Sequence, residues 1–168
     1  MFEIRQANDD EYSDVLAIIN ASAAAYKGVI PANCWHEPYM STREISDEIA
    51  AGVVFRLCYS GNELGGVMGL QEKSDVTLIR HAYVLPSNQR QGIGTGLLNH
   101  VRTLVTKPLL VGTWADASWA IDFYIRNGFS VVSDEQKEHL LKQYLSVPKR
   151  QIENSVVLAD RRWIRRQA

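Results

Sequence analysis

The sequence predicts an α/β (α+β) fold in which helices flank a central mixed, mostly antiparallel sheet of about seven strands. Three apolar stretches, 53–59, 64–71 and 76–85, are joined by short Ser-Gly-Asn and Lys-Ser-Asp turns, which is typical of an antiparallel meander. A glycine-rich turn at 92–96 then leads into an amphipathic helix and a buried strand at 109–114. One strand–helix–strand unit therefore follows the meander.

The residues before the meander predict an edge strand and two helices. Residues 2–6 alternate between apolar and polar side chains, as a half-exposed strand does. Asn8, followed three residues later by Glu11, predicts the start of a helix, and Ser41 with Glu44 predicts the start of a second, shorter one. The first helix has apolar side chains at helical spacing at Tyr12, Val15, Leu16, Ile19, Ala23 and Tyr26.

The residues after the glycine-rich turn predict further alternation of helix and strand. A helix is expected from Ser118 to Gly128 and a strand at 129–132. Ser133 begins a helix with Leu140, Leu141, Tyr144 and Leu145 directed inward. A last strand is expected at 155–159, and the arginine-rich tail, 161–166, is interpreted as a solvated terminal strand rather than a nucleic-acid patch.

Composition restricts the class of protein. A length of 168 residues with 46% apolar residues suffices for one domain, predicted to span 1–168. The net charge of −1 provides no general attraction for nucleic acid or an anionic membrane, and neither is an expected partner. No apolar run approaches the ~20 residues of a membrane span and Met-Phe-Glu-Ile-Arg lacks a signal-peptide pattern, so a cytoplasmic location is expected. Cys34 and Cys58 lack metal-ligand spacing, which predicts reduced thiols and no metal site.

The segment 84–98 predicts an anion-binding turn between a strand and a helix. Its glycines are Gly92, Gly94 and Gly96. Without Cβ atoms the backbone can bend tightly and approach a ligand, and the amides and dipole of the new helix favour negative charge. Arg90 lies between Gln89 and Gln91 in this turn and adds a cation. The Walker and dinucleotide glycine spacings are both absent, so a phosphate or pyrophosphate site of another kind is predicted.

Residues 84–94, Val-Leu-Pro-Ser-Asn-Gln-Arg-Gln-Gly-Ile-Gly, resemble the acetyl-CoA pyrophosphate loop of the GNAT superfamily of N-acetyltransferases. Residues 120–129, Ala-Ile-Asp-Phe-Tyr-Ile-Arg-Asn-Gly-Phe, resemble that superfamily's helix closed by Asn-Gly-Phe. The resemblance implies a sheet splayed between the fourth and fifth strands and acetyl-CoA as co-substrate, with no metal. The residues it implies for cofactor binding are Val84, Leu85, Gln89, Arg90, Gln91, Gly92, Ile93, Gly94, Thr95 and Tyr124.

The candidate acid and the candidate oxyanion donor come from the family resemblance, whereas the candidate base comes from its position and its chemistry. Tyr124 matches the tyrosine that many superfamily members place near the thioester sulfur, which implies a general acid, and an amide near Val84 is implied as the donor to the acetyl carbonyl. His81, on the strand that leads to the loop, is the candidate general base because imidazole titrates near neutrality. His36, Glu37 or a chain of waters are the alternatives.

Two features depart from the family pattern. Many members carry Asn where this chain has Ala117, which puts one cofactor contact in doubt, and Asp116 or Ser118 are the candidates to replace it. The segment 134–153 is longer than usual and can cover the acceptor site, contact a partner subunit or cover the sheet, the last being favoured. The large aromatic residues that are candidates for an acceptor pocket, or for the core, are Trp35, Tyr39, Trp114 and Trp119.

The function expected from the resemblance is N-acetylation of a primary amine of a small molecule or peptide by direct transfer from acetyl-CoA. A non-catalytic CoA-binding regulatory domain is the alternative, since one Asn is absent and the base is not assigned by a motif. Binding of nucleic acid through the tail is the least favoured function. A homodimer is possible, and the acceptor itself is left open because connecting segments build its pocket.

Overall fold

A computed structural model describes residues 1–168 and contains seven strands and seven α-helices. The strands are β1 Phe2–Gln6, β2 Val53–Ser60, β3 Glu63–Glu72, β4 Thr77–Val84, β5 Leu109–Trp114, β6 Ser130–Val131 and β7 Ser155–Ala159. The helices are α1 Tyr12–Ala23, α2 Thr42–Ala50, α3 Ile93–Leu104, α4 Ser118–Arg126, α5 Asp134–Tyr144, α6 Lys149–Glu153 and α7 Arg161–Gln167. None of the helices has the length and apolar character needed to cross a membrane.

The strands form one seven-stranded sheet in the order β1-β2-β3-β4-β5-β7-β6. The pairs β1–β2, β2–β3, β5–β7 and β6–β7 are antiparallel, and β4–β5 is parallel. The predicted fold class, a mixed and mostly antiparallel sheet flanked by helices, is confirmed. The splay between β4 and β5 stays a prediction.

The chain divides into two compact units, each with its own packing. The first comprises residues 1–25, 36–72 and 79–106. The second comprises residues 26–35, 73–78 and 107–168, so β4 contributes to both units. The prediction of a single domain over residues 1–168 stays a prediction.

In the first unit, small residues of β3 allow α3 to lie close to the sheet. A Cβ added at Gly66 would lie 2.7 Å from Cγ2 of Ile93, and one at Gly65 would lie 2.8 Å from its Cδ1. Ile93, the first residue of α3, is fully buried there. Side chains of α1, including Val15 and Ile19, pack in the core of this unit together with residues of β2 and β3. The start of α3 is thus held against the strand that precedes β4.

In the second unit, the segment 134–153 covers the sheet. Leu140 and Leu141 of α5 pack in one apolar cluster with Leu110 of β5 and Val157 of β7. This agrees with the favoured interpretation of the segment. The sequence did not predict α6, whose five residues precede β7.

The prediction of a solvated terminal strand is wrong, because residues 161–167 form the helix α7. Asp160 caps this helix, since its Oδ1 accepts hydrogen bonds from the amides of Arg162 and Trp163 at 3.1 and 3.2 Å. Trp163 is buried in the apolar cluster of the second unit. An aspartate cap and one buried aromatic side chain therefore determine the conformation of a tail that is otherwise exposed and basic.

Candidate functional site

The backbone after β4 turns sharply into α3. The amide of Leu85 donates to the carbonyl of Gly65 at 2.9 Å, and the amide of Asn88 donates to the carbonyl of Leu85 at 2.8 Å, which closes a short 3-10 turn. Arg90 and Gly92 then adopt left-handed conformations, with φ of 63° and 85°. Glycine adopts such a conformation without steric cost, which explains the residue at position 92.

Seven consecutive amides at this turn, from Gln89 to Thr95, donate to no other group of the protein. The first amide of the helix that is bonded is that of Gly96, which donates to the carbonyl of Gly92 at 2.8 Å. The positive end of the helix dipole lies at the same place. Unbonded amides at a helix N-terminus are the arrangement that binds phosphate groups, so the loop has the donors that an anion requires.

The side chains of the loop have different surroundings. The Arg90 guanidinium is exposed and makes no ion pair or hydrogen bond within the chain. Gln89 and Gln91 make long contacts from their Nε2 atoms to the carbonyls of Val84 and Ser87, at 3.5 and 3.4 Å. The Ile93 side chain is buried and apolar, so this residue can offer a ligand only its amide, which has no partner in the chain. Arg90 is thus the one loop side chain that offers a full positive charge.

His81, the candidate base, lies in β4 with φ of 51°, a left-handed conformation that interrupts the regular pleat of the strand. Its side chain is 17% exposed, and its Nε2 lies 2.7 Å from Oε2 of Glu48 in α2. An acceptor-only carboxylate requires the proton to be on Nε2. When the ring is neutral, Nδ1 therefore carries the lone pair, and it contacts no donor or acceptor of the chain.

A hydrogen-bonded network holds Glu48 in place. The same Oε2 of Glu48 lies 2.9 Å from Nη2 of Arg80, whose Nη1 donates to Oε1 of Gln71 at 2.9 Å. Gln71 is buried and donates through Nε2 to the carbonyl of Ala51, just after α2, at 2.9 Å. Burial raises the pKa of Glu48, but the hydrogen bond from His81 and the charge of Arg80 outweigh it and lower the pKa below its usual value.

Glu48 is not among the residues that the sequence predicts for the site. One signal was available, since Glu48 follows Ile45 by three residues and precedes Ile49, so that the helical spacing places it beside two apolar residues. A carboxylate at such a position is unusual and needs a partner in the fold. Only the pairing of α2 with β4 residues identifies His81 and Arg80 as its partners.

The alternative bases lie in a more exposed region of the first unit. Nδ1 of His36 lies 2.8 Å from the carbonyl of Pro38, and Glu37 is exposed. The His36 ring stacks on Tyr39 with ring centroids 6.4 Å apart, and Tyr39 meets Tyr83 of β4 edge-on at 6.4 Å. This aromatic row extends from the segment between α1 and α2 to β4, the strand that carries His81.

Tyr124, the candidate acid, belongs to the second unit. It is buried in α4, with its ring edge-on to Phe123 and Phe129 at centroid distances of 5.0 and 5.3 Å. Its hydroxyl makes no hydrogen bond within the chain. Burial raises the pKa of Tyr124 well above its usual value, so the phenol keeps its proton at neutral pH.

Ala117, where many family members carry Asn, is fully buried at the start of α4 and accepts hydrogen bonds from Ala120 and Ile121 through its carbonyl. The neighbouring Asp116 and Ser118 are exposed.

Trp119 is also exposed and meets Tyr26 edge-on, with ring centroids 5.1 Å apart, whereas the side chains of Trp35 and Trp114 are half-buried. Cys34 and Cys58 are free thiols, and no group of three or more His, Cys, Asp or Glu residues is arranged to hold a metal ion.

Comparison with known proteins agrees with this geometry. The family profile of the acetyltransferase (GNAT) domain matches residues 9–143. PaiA N-acetyltransferase from Thermoplasma acidophilum, crystallised with coenzyme A, is 18% identical with a TM-score of 0.72, over 95% of this chain and 98% of that one. The ribosomal-protein-S18-alanine N-acetyltransferase from Escherichia coli is 17% identical with a TM-score of 0.65, over 95% and 93% of the two chains.

A third solved structure, a GNAT family acetyltransferase from Elizabethkingia anophelis with acetyl-CoA bound, is 18% identical with a TM-score of 0.62, over 95% of this chain and 97% of that one. No curated protein matches the chain. At these identities the solved structures establish the fold, and the family profile covers most of the sequence. The chain therefore belongs to the GNAT acetyltransferase family.

Proposed function

We propose that this protein is an acetyl-CoA-dependent N-acetyltransferase that moves the acetyl group directly to a primary amine of a small molecule or peptide. The observation that carries the proposal is the set of seven unbonded amides from Gln89 to Thr95, next to the unpaired guanidinium of Arg90. A diphosphate offers several acceptor oxygens and negative charge to these donors. Solved structures of the same fold hold coenzyme A or acetyl-CoA.

In this proposal, a backbone amide stabilises the charge that develops on the acetyl carbonyl oxygen. The amide of Leu85 is bonded to β3 through Gly65. Because alternate residues of a strand direct their N–H groups to opposite sides, the Val84 N–H is directed away from β3. It is therefore the candidate donor to the carbonyl oxygen, and acetyl-CoA would supply the thioester carbon that the amine attacks.

Two side chains move the protons. An alkyl ammonium has a pKa of about 10 and must lose a proton before it can attack, and Nδ1 of His81 is the atom that accepts it. Glu48 holds the other ring nitrogen at 2.7 Å and so determines which nitrogen is the base. As the carbon–nitrogen bond forms and the carbon–sulfur bond breaks, the Tyr124 hydroxyl gives its proton to the leaving sulfur. The nitrogen then loses its second proton, which restores the phenol, and the products are the amide and the free thiol of coenzyme A.

The acceptor class is proposed from the chemistry and from the relatives. The Escherichia coli relative is named for the alanine of a ribosomal protein. Another solved structure, Naa50 from Arabidopsis thaliana, holds the bisubstrate analogue CoA-Ac-MVNAL. The row formed by His36, Tyr39 and Tyr83 offers partly exposed aromatic rings beside His81. An amine attached to an apolar or peptide body fits such a surface.

The test is a calorimetric titration of coenzyme A, followed by an assay of free thiol and product mass with acetyl-CoA and a panel of small amines and peptides. We expect heat on binding and thiol release with at least one amine. Binding without thiol release from any amine would support the alternative, a non-catalytic CoA-binding regulatory domain. An absence of binding heat would overturn both functions.

A further inference from the structure

A pocket of about 400 Å³ lies in the second unit, between the start of β6 and the last helix, α7. Its lining consists of Gly128, Phe129, Ser130, Arg161, Ile164 and Arg165. The volume falls within the roughly 300–1,000 Å³ that is typical of pockets for small molecules. None of these residues belongs to the loop 85–92 or to the groups proposed for proton transfer. The pocket is therefore a candidate site of its own.

Two guanidinium groups line this pocket without a partner. The side chains of Arg161 and Arg165 lie one helical turn apart on α7, are exposed, and make no ion pair or hydrogen bond within the chain. The adjacent acid, Asp160, is buried and occupied, since its Oδ1 caps α7 and its Oδ2 lies 3.9 Å from Nε of Arg162. Like charges one turn apart repel each other. An anion held between the two groups would remove that repulsion.

The other long side chains of α7 attach the helix to the second unit. Trp163 is buried in the apolar cluster of this unit. Nη1 of Arg162 donates to the carbonyl of Lys107 at 3.1 Å. Nη1 of Arg166 donates to the carbonyl of Asp75 at 2.9 Å. The two remaining arginines of the helix are those that line the pocket, so their charges are available to a ligand.

The pocket also has an apolar part. Phe129 is 3% exposed, and its ring meets the Tyr124 ring edge-on with centroids 5.3 Å apart. Ile164, which lies on α7 together with the two arginines, is 40% exposed. Ser130 is exposed and contributes a hydroxyl group. Cationic and apolar groups that line one cavity fit a small molecule that has an anionic group on an apolar body.

We propose that this pocket binds a small organic phosphate, in which a phosphate monoester is attached to an apolar body such as an aromatic ring. Guanidinium groups bind phosphate oxygens through paired N–H donors. A phosphate monoester carries about two negative charges at neutral pH, which matches two unpaired guanidinium groups, whereas a carboxylate carries one. This inference does not rest on acetyl transfer, and it holds whether or not the loop 85–92 binds coenzyme A.

The test is a titration of the full chain followed by two-dimensional amide NMR, which reports binding residue by residue. Phenyl phosphate is the probe, inorganic phosphate lacks the apolar body, and benzoate carries a single charge. We expect phenyl phosphate to shift the signals of residues 128–130 and 161–165 until saturation and to bind more tightly than the other two. Shifts confined to the loop 89–95, or equal affinities for benzoate and phenyl phosphate, would overturn the proposal.

Matched variants distinguish this site from general electrostatic attraction. Arg161→Ala/Arg165→Ala should bind phenyl phosphate at least about tenfold more weakly, because charge-assisted hydrogen bonds are lost. Arg43→Ala/Arg150→Ala removes the same charge at two exposed positions elsewhere and should keep the wild-type affinity. Ile164→Ser should weaken the binding of phenyl phosphate but not of inorganic phosphate. Circular dichroism of every variant reports folding separately, and equal affinities of the two double variants would contradict the assignment.

Discussion

The carboxylate of Glu48 lies 2.7 Å from Nε2 of His81, so a residue of α2 determines the orientation of a ring on β4. Both groups are largely withdrawn from solvent, and Arg80 approaches the same carboxylate oxygen at 2.9 Å. Because Nε2 contacts the carboxylate, Nδ1 is the nitrogen that can accept a proton in the proposed mechanism. The pairing also connects α2 to the strand that leads into the loop 85–92, the proposed site of the diphosphate.

Glu48→Ala should lower kcat about tenfold, equivalent to roughly 1.4 kcal/mol of transition-state stabilisation, because the His81 ring loses its orientation. The affinity for coenzyme A should not change, since Glu48 lies outside the loop. Glu48→Gln should recover part of the activity, as its amide oxygen can accept from Nε2. Steady-state kinetics and calorimetry measure the two quantities. The exposed neighbour Asp47, changed to Ala, is the control, and equal activities for the two alanine variants would exclude the positioning role.

Glu48 should also make the free energy of unfolding depend on pH in the acidic range. Its pKa is lower in the folded chain than its usual value of 4.5, so it stabilises the fold above that pH. This contribution should be lost as the pH falls from about 4.5 through the folded pKa of Glu48. Urea unfolding as a function of pH should show a shallower loss for Glu48→Gln than for the wild-type chain. Glu63→Gln, at an exposed position of β3, is the control and should keep the wild-type slope.

Arg90→Ala should weaken binding of coenzyme A by about 1.5 to 3 kcal/mol, the usual contribution of a charge-assisted hydrogen bond to phosphate. Arg43→Ala, at a similarly exposed position of α2, should have no effect on this affinity. Isothermal calorimetry at fixed ionic strength measures both dissociation constants. An unchanged affinity for Arg90→Ala would remove Arg90 from the phosphate site.

Two glycines of the loop provide a matched comparison. Gly92→Ala should destabilise the fold by about 1–2 kcal/mol and weaken coenzyme A binding, because an L-residue resists a φ of 85°. Gly96→Ala should be neutral or stabilising by up to about 1 kcal/mol, since Gly96 is helical and its added Cβ would meet Phe2 at an ordinary 3.6 Å. Denaturant unfolding and calorimetry measure both effects. Equal stabilities would show that position 92 tolerates a side chain in this conformation.

Tyr124→Phe should lower kcat roughly a hundredfold, the lower range for loss of general acid catalysis, with an unchanged affinity for coenzyme A. Only the hydroxyl is removed, and that hydroxyl has no partner in the chain whose loss would disturb the fold. Tyr12→Phe, whose hydroxyl contacts Asp9 on the first unit, is the control. A wild-type rate for Tyr124→Phe would exclude the tyrosine as the proton donor.

Local patterns predicted most of the elements, because their causes lie within a few residues. The capping pair Ser41–Glu44 forms as expected at the start of α2, and Ser133, the expected start of α5, caps that helix together with Gln136. The turn into α3 begins after a proline-led 3-10 turn and bends at Gly92, as the glycine spacing predicted. The tail was mispredicted because its conformation depends on the cap at Asp160 and on the burial of Trp163 against other elements.

The sequence by itself determined the order of β1 to β7 and of α1 to α5, the glycine-rich turn before α3 and the family, since these depend on periodicity, capping and a local glycine pattern. Only the tertiary structure decided that Glu48 is the partner of His81, that Tyr124 has an unpartnered hydroxyl, and that Arg161 and Arg165 line one pocket. The physical reason is distance along the chain. Contacts between residues that are far apart in sequence, and the burial that shifts their pKa values, exist only after the elements have packed.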